Sequence, residues 1–306
     1  MILCNSLCCN FESQKKMDSA VIMEKNLLIG TSGYDYPEWR GVFYPADLKR
    51  KDFLSYYATQ FNALELNNTF YNMPTAERLF AFYERSGGRL SFSVKANRLL
   101  THEIDRNWKD AAEAFKAALK SLHEKDSLSA VLFQFPQSFH YTDENRIYLA
   151  RLIDSFKGFP LVIEFRHREW IRQSVFSGLE ERGAGLVFCD MPRLKNLPAG
   201  NFSNTAKSPF VGKNAYIRLH GRNADAWYAA SDAKNAAVSE KDTSEKNGSC
   251  RYRYDYSDSE LSHFVPVIKK ALCEGRKVQV YFNNHPDGNG PQNARRLGRK
   301  CNICQF

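Results

Sequence analysis

Eight short apolar segments, each turning polar at its C-terminal end and each followed by a helical or irregular stretch, constrain this chain more than anything else in it. They are Leu27–Tyr34, Ala63–Phe70, Leu90–Asn97, Ala130–Pro136, Pro160–His167, Ala184–Asp190, Ala215–Gly221 and Lys277–Asn284. Repeated strand–helix units of this kind fit a (β/α)8 TIM-like barrel of the α/β class, a fold that places its chemistry where the strands end. The polar ends are therefore where function is sought.

A chain of 306 residues with 43% hydrophobic content can bury one large core, so a single barrel domain is expected over residues 26–298. Residues 1–25 show no periodicity and read as a disordered appendage, and residues 299–306 read as a tail. Residues 229–248 are rich in Ala, Ser, Lys, Asn and Asp and read as a mobile insertion after the seventh strand. No long apolar run spans a membrane, and the N-terminus lacks the order of a secretory signal, so a cytoplasmic location is the default expectation. Helices are expected at Asp52–Phe61, Pro74–Ser86, Trp108–Glu124, Asp143–Phe156, Trp170–Arg182 and Asp258–Glu274, from three- and four-residue apolar spacing and terminal glycines.

Strand side chains alternate, so each strand divides into a helix-facing and a lumen-facing set. Apolar residues must cover the helices. That places Glu65, Lys95, Gln134, Glu164, Arg166, Arg218, His220 and Asn283 in the lumen, with Asn67 and Thr69 continuing the second strand's inner face. Buried charges are costly unless paired, hydrated or in contact with a ligand. Two carboxylates against three cations pair internally and leave about one positive charge for an anion. The net charge of +9 points the same way, toward a small anionic substrate or a nucleic acid.

Several motifs resemble the YecE-like family, also called domain of unknown function 72. They are Glu65-Leu66-Asn67-Asn68-Thr69-Phe70-Tyr71, Gln134-Phe135-Pro136, Glu164-Phe165-Arg166-His167 with Trp170, Arg218-Leu219-His220-Gly221 and Phe282-Asn283-Asn284-His285. The resemblance spans about Leu27 to Leu297 and implies a barrel; nucleic-acid processing enters only by analogy with barrel endonucleases, a likeness of fold. The family's recurrent polar residues fall on Glu65, Asn67, Thr69, Lys95, Thr101, His102, Gln134, Glu164, Arg166, His167, Asp190, Arg218, His220, Asn283 and Asn284. The chain departs from the family where Gly288-Asn289-Gly290-Pro291-Gln292 precedes Asn293-Ala294, in a short final helix, and over the first 25 residues.

The leading expectation is an enzyme, hydrolase- or lyase-like, acting on a phosphorylated or other anionic substrate. Glu65 and Glu164 lie on opposite strands and suit a general acid and base. Lys95 is a Schiff-base lysine if desolvated, although nearby carboxylates would keep it charged. His220 is the inward-facing histidine and joins them as a catalytic candidate. Thr31, Asn67, Gln134, Arg166, His167, Asp190, Arg218, Asn283 and Asn284 are the substrate-binding candidates, with backbone N–H groups of the Thr31-Ser32-Gly33 turn as an anion cradle.

No cofactor is required by this reading. A divalent metal on Glu164, Asp190 and His220, with His285 or Glu65 added, is the weaker alternative, because Arg166 and Arg218 would sit against the cation unless they served a metal-bound phosphate. Cys8, Cys9, Cys301 and Cys304 raise a four-thiolate zinc site, but unpaired thiols on frayed ends are the simpler account. The rival expectation is a non-catalytic nucleic-acid-binding protein. It would use the rim aromatics Trp39, Trp170, Trp227, Tyr34, Tyr71 and Tyr228 with the interleaved Arg251-Tyr252-Arg253-Tyr254-Asp255-Tyr256 stretch.

Overall fold

A computed structural model describes residues 26–198, 209–228 and 250–301. Eight parallel strands close into a barrel in sequential order: β1 (Leu27–Ser32), β2 (Ala63–Leu66), β3 (Ser91–Lys95), β4 (Leu128–Gln134), β5 (Leu161–Glu164), β6 (Gly185–Asp190), β7 (Asn214–Leu219) and β8 (Lys277–Phe282). The last strand pairs back onto the first in the register Leu27↔Val278 through Thr31↔Phe282, which leaves no free sheet edge.

The helices are α1 (Phe53–Tyr57), α2 (Ala76–Arg85), α3 (Trp108–His123), α4 (Asp143–Ser155), α5 (Gln173–Glu181), α6 (Asp258–Cys273) and α7 (Asn289–Lys300). Local chemistry sets their starts. The Thr75 and Thr142 hydroxyls accept from the backbone N–H groups of Arg78 and Asn145, and Ser257 with Glu260 completes a capping box at α6. Among the described residues no α-helix lies between β6 and β7. The expected helix at Trp170–Arg182 is divided: a short turn, Arg168–Trp170, precedes α5. Trp170 holds that turn in place, because its ring stacks on Phe165 at 4.5 Å and its indole N–H donates to the Phe139 carbonyl at 2.7 Å.

Alternation sorts the side chains into two apolar sets. Leu64, Leu66, Phe92, Val94, Phe133, Ile163, Ile217 and Val280 pack outward against the helices. Leu28, Ala63, Ala130, Leu132, Val162, Val187, Tyr216 and Tyr281 fill the lumen. The two tyrosines pack at 5.1 Å between ring centroids, and their hydroxyls meet the buried hydroxyls of Ser93 and Ser129. Gly30 sits where the wall is tightest: a Cβ there would lie 1.9 Å from the Ala63 carbonyl oxygen.

The strands end earlier than the apolar segments do. Asn67 and Thr69 belong to the turn Asn68–Phe70 and its lead-in, so strand parity does not place them in the lumen. The Thr69 hydroxyl turns back to the carbonyls of Leu66 and Lys95. Arg299 and Lys300 complete α7 rather than opening a tail. Residues 1–25, the 229–248 insertion and Cys304 lie outside the described residues, as do Cys8 and Cys9. Among the described residues no helix is long and apolar enough to cross a membrane.

Candidate functional site

Three strands bring the central charges together. Arg218, on β7, is 2% exposed and bridges two carboxylates that are fully buried. One Nη donates to Glu65 Oε1 at 2.6 Å, the other to Glu164 Oε2 at 2.7 Å. Arg166 follows β5 and its Nε donates to the second oxygen of Glu164. Tyr216 donates to the second oxygen of Glu65 at 2.8 Å and is itself 2.7 Å from the Ser93 hydroxyl. Every oxygen of both carboxylates is thus engaged.

That engagement decides the protonation states. Burial works against the Glu164 anion, but Arg166, Arg218 and His220 outweigh it and hold its carboxyl well below the usual range. Glu164 therefore stays charged near neutrality, where a general acid would have to carry a proton. His220 is fully buried, with Nδ1 3.0 Å from the Asn283 amide and Nε2 3.3 Å from Arg166. Burial and the neighbouring Arg166 cation push it down to about 3, so it is neutral and a weak base. It fixes the geometry of Arg166 and Asn283.

Lys95 is different. It ends β3, is half-buried, and packs its ammonium 4.3 Å from the centre of the Phe70 ring. Among the described residues no carboxylate lies within ion-pairing distance of it. Burial and the Arg218 cation lower it to about 7, ahead of the opposing pull of Glu164. Glu164 and Glu65 still favour its charged form, as expected, but burial and the Arg218 cation outweigh them, and Arg218 and Arg166 hold those carboxylates.

Above this layer lies a cavity of about 310 Å³ lined by His102, Gln134, Pro136, Gln137, Arg166, Leu197, Trp227, Tyr228, Arg251 and Tyr252. His102 feels both Lys95 and Arg166, and burial with those cations lowers it to about 4. Its Nδ1 lies 2.9 Å from the Thr101 hydroxyl. Gln134 donates to the Phe135 carbonyl at 2.9 Å. Asn67 lies close to the same end of the barrel with a buried carbonyl oxygen that has no hydrogen-bond partner.

Other sequence candidates are held by the protein itself. Asp190 accepts from Nε and one Nη of Arg222 at 2.8 and 2.7 Å and from the Tyr256 hydroxyl at 2.9 Å, so both of its oxygens are engaged by the protein. Asn284 donates to the Tyr254 carbonyl and to Asn293, which ties the end of β8 to the α6 lead-in and α7. Thr31 directs its hydroxyl to the Gly33 carbonyl; its own N–H meets the Tyr57 hydroxyl and the Gly33 N–H meets Glu65 O. The proposed anion cradle is therefore spent on the barrel wall. His167 caps the Arg168–Trp170 turn and faces a separate cavity. A metal on Glu164, Asp190 and His220 does not fit, since two guanidinium groups occupy Glu164 and a third holds Asp190.

The interleaved stretch from Arg251 to Tyr256 is largely committed as well. Tyr254 donates to Glu260, Tyr256 is buried on Asp190, Arg253 pairs with Asp287, and Asp255 with Arg296. Only Arg251 and Tyr252 of that stretch line the cavity. Parity placed Tyr216 beside Arg218 but gave no sign that it would share Glu65. His102 was visible only through the family resemblance.

A family model described as a protein of unknown function, DUF72, matches residues 28–305. The chain belongs to the DUF72 family. A UPF0759 protein of Bacillus subtilis, YunF, is 26% identical over 263 residues, covering 83% of this chain and 88% of its own length. A DUF72 family protein from Thermotoga maritima is 29% identical with a TM-score of 0.74, over 89% of this chain and 98% of that one. Another from Enterococcus faecalis, 22% identical, has a TM-score of 0.72 over 92% and 97% of the two chains and shares the fold. The DUF72 barrel is thus common to proteins that differ at most positions.

Proposed function

We propose that this DUF72 protein is a lyase-like enzyme that binds a small carbonyl compound carrying a phosphate or carboxylate, with Lys95 as the reacting amine. One observation carries the reading: Arg218 takes both lumen carboxylates, and Lys95 remains a half-buried lysine with no carboxylate at ion-pairing distance among the described residues, its charge felt by His102 and Arg166 of the cavity wall. At about 7, half of its amine is neutral near pH 7, against about four parts in ten thousand for an ordinary lysine. Arg166, with Arg251 at the rim, supplies positive charge for the substrate's anionic group.

In this scheme the Lys95 lone pair attacks the carbonyl carbon. The carbinolamine loses its oxygen as water to give a protonated imine. The C–C bond one carbon removed from the imine carbon then breaks: its electron pair forms an enamine, and the other fragment leaves as an aldehyde as its hydroxyl proton passes to water. The enamine carbon takes a proton from water, and a further water hydrolyses the resulting imine to release the carbonyl product and the free Lys95 amine. Glu65 and Glu164 act as the fixed counter-charges of Arg218 and Arg166, so the acid–base roles expected of them are replaced by a positioning role.

Borohydride trapping tests this. The protein is reduced in the presence of pyruvate, glyoxylate or dihydroxyacetone phosphate and measured by intact mass and peptide mapping. One adduct per chain on Lys95, absent in Lys95→Met, supports the reading; adducts spread over surface lysines equally in both proteins overturn it. Retention on single-stranded DNA that falls steeply with salt, with no trapped adduct, would favour the nucleic-acid-binding alternative.

A further inference from the structure

A second cluster lies on the same end of the barrel and takes no part in the chemistry above. His140 sits in the β4–α4 loop, while His167 and Glu169 flank the start of the Arg168–Trp170 turn that follows β5. One donor atom from each lies within 4.8 Å of the other two. Glu169 Oε2 is 3.2 Å from His140 Nδ1 and 3.5 Å from His167 Nδ1. We propose that His140, His167 and Glu169 form a binding site for a divalent transition metal of the zinc type.

The spacing is that of ligands around a tetrahedral ion. Metal–ligand distances of about 2.0–2.1 Å imply donor atoms about 3.3 Å apart, which both carboxylate–imidazole separations approach. His167 Nδ1 meets the Glu169 backbone N–H at 3.3 Å, a long contact, so its single lone pair would turn from that donor to the ion on binding. Two imidazoles and one carboxylate are also the donor set this class of ion prefers.

The surroundings hold the donors in place. The Tyr141 N–H donates to the same Glu169 oxygen at 3.2 Å, and the turn that His167 caps folds Glu169 back toward it. The neighbouring cations are directed elsewhere: Arg172 donates to the Glu169 carbonyl and packs over Tyr141, and Arg168 donates to the Lys195 carbonyl. Three protein donors leave at least one coordination position. The two histidines line a cavity of about 540 Å³ together with Lys195, Asn196 and Tyr228, so water or an anionic oxygen can reach the ion. Gln137 and Tyr228 also line the cavity beside Arg166, which sets the two sites along one surface.

The test uses tag-free protein stripped with chelator and titrated with Zn²⁺ by calorimetry and with Co²⁺ by visible absorption. One ion per chain is expected, with affinity at least about 100-fold weaker in His140→Ala and in Glu169→Gln. Cys189→Ala, which removes a donor from the buried Glu164–Cys189–His220 group, should leave binding unchanged. His140 is exposed at 54% of its side chain, so its truncation leaves the fold intact, which circular dichroism verifies. No stoichiometric binding overturns the proposal. So does binding that persists in both variants, or that carries cobalt–thiolate charge-transfer absorption from cysteine.

Discussion

Replacing Lys95 by Met should make the protein more stable at neutral pH, and the gain should fade as pH rises. An ordinary lysine titrates near 10.4 and Lys95 at about 7 in the folded protein, a difference worth roughly 4–5 kcal/mol if fully expressed. The amine is only half-buried, and solvent screening reduces this to about 2 kcal/mol. The sign follows from proton binding. Between about pH 7 and 10.4 the unfolded chain holds the Lys95 proton more than the folded chain does, so folding is favoured as pH rises through that window and the cost is constant below it. Methionine of similar length keeps the contact with Phe70 and never carries the charge. Urea titrations of both proteins from pH 6 to 9.5 should show the variant ahead by about 2 kcal/mol at pH 6–7, or about 4–8 °C in Tm, with the gap closing toward pH 9.5. A variant that is less stable at pH 7, or a gap independent of pH, would refute a desolvated lysine.

Glu164→Gln removes the charge facing two guanidinium groups and should destabilise by about 3–5 kcal/mol at pH 7 in urea titrations. Because the folded carboxyl sits below its unfolded value, that contribution is present above about pH 4.3 and is lost as pH falls further, so the gap between the proteins should narrow toward pH 3. Asp190→Asn should lower stability by about 2–3 kcal/mol by weakening its contacts with Arg222 and Tyr256. Borohydride trapping on Lys95 should be unchanged in that variant; loss of trapping would return Asp190 to the substrate.

The barrel and its charged interior were legible because alternation within strands is a local property. Leu64 and Leu66 against Glu65, or Ile217 and Leu219 against Arg218, fix the inward residues without any knowledge of neighbouring strands. Pairing was not legible. Whether Glu65 meets Lys95 or Arg218 depends on distances across the lumen, and both lay on the inner face. The partners of Asp190 were not legible because they come from elsewhere: Arg222 follows β7 and Tyr256 precedes α6. Asn67 and Thr69 were misplaced because the second strand stops at Leu66, where a short turn ends the two-residue period. His140 and Glu169 carry no periodic signal, and only the fold of two loops brings them together.

The double bridge made by Arg218 uses a geometry that arginine offers and lysine does not. Its two Nη atoms reach different carboxylates at 2.6 and 2.7 Å, a fork that a lysine ammonium, as a single point of charge, does not reproduce. In Arg218→Lys one glutamate would lose its partner and turn its negative charge on the remaining cations. Lys95 already feels both carboxylates as forces that raise its affinity for a proton, with Arg218 opposing them. Weakening that opposition should move Lys95 back toward the ordinary lysine range, and the neutral amine would then appear only at higher pH. The midpoint of borohydride trapping against pH should shift upward by at least about one unit in Arg218→Lys, with the yield at high pH retained. A midpoint that stays near 7 would mean that Arg218 does not govern Lys95, and that the ion network serves the barrel's register alone.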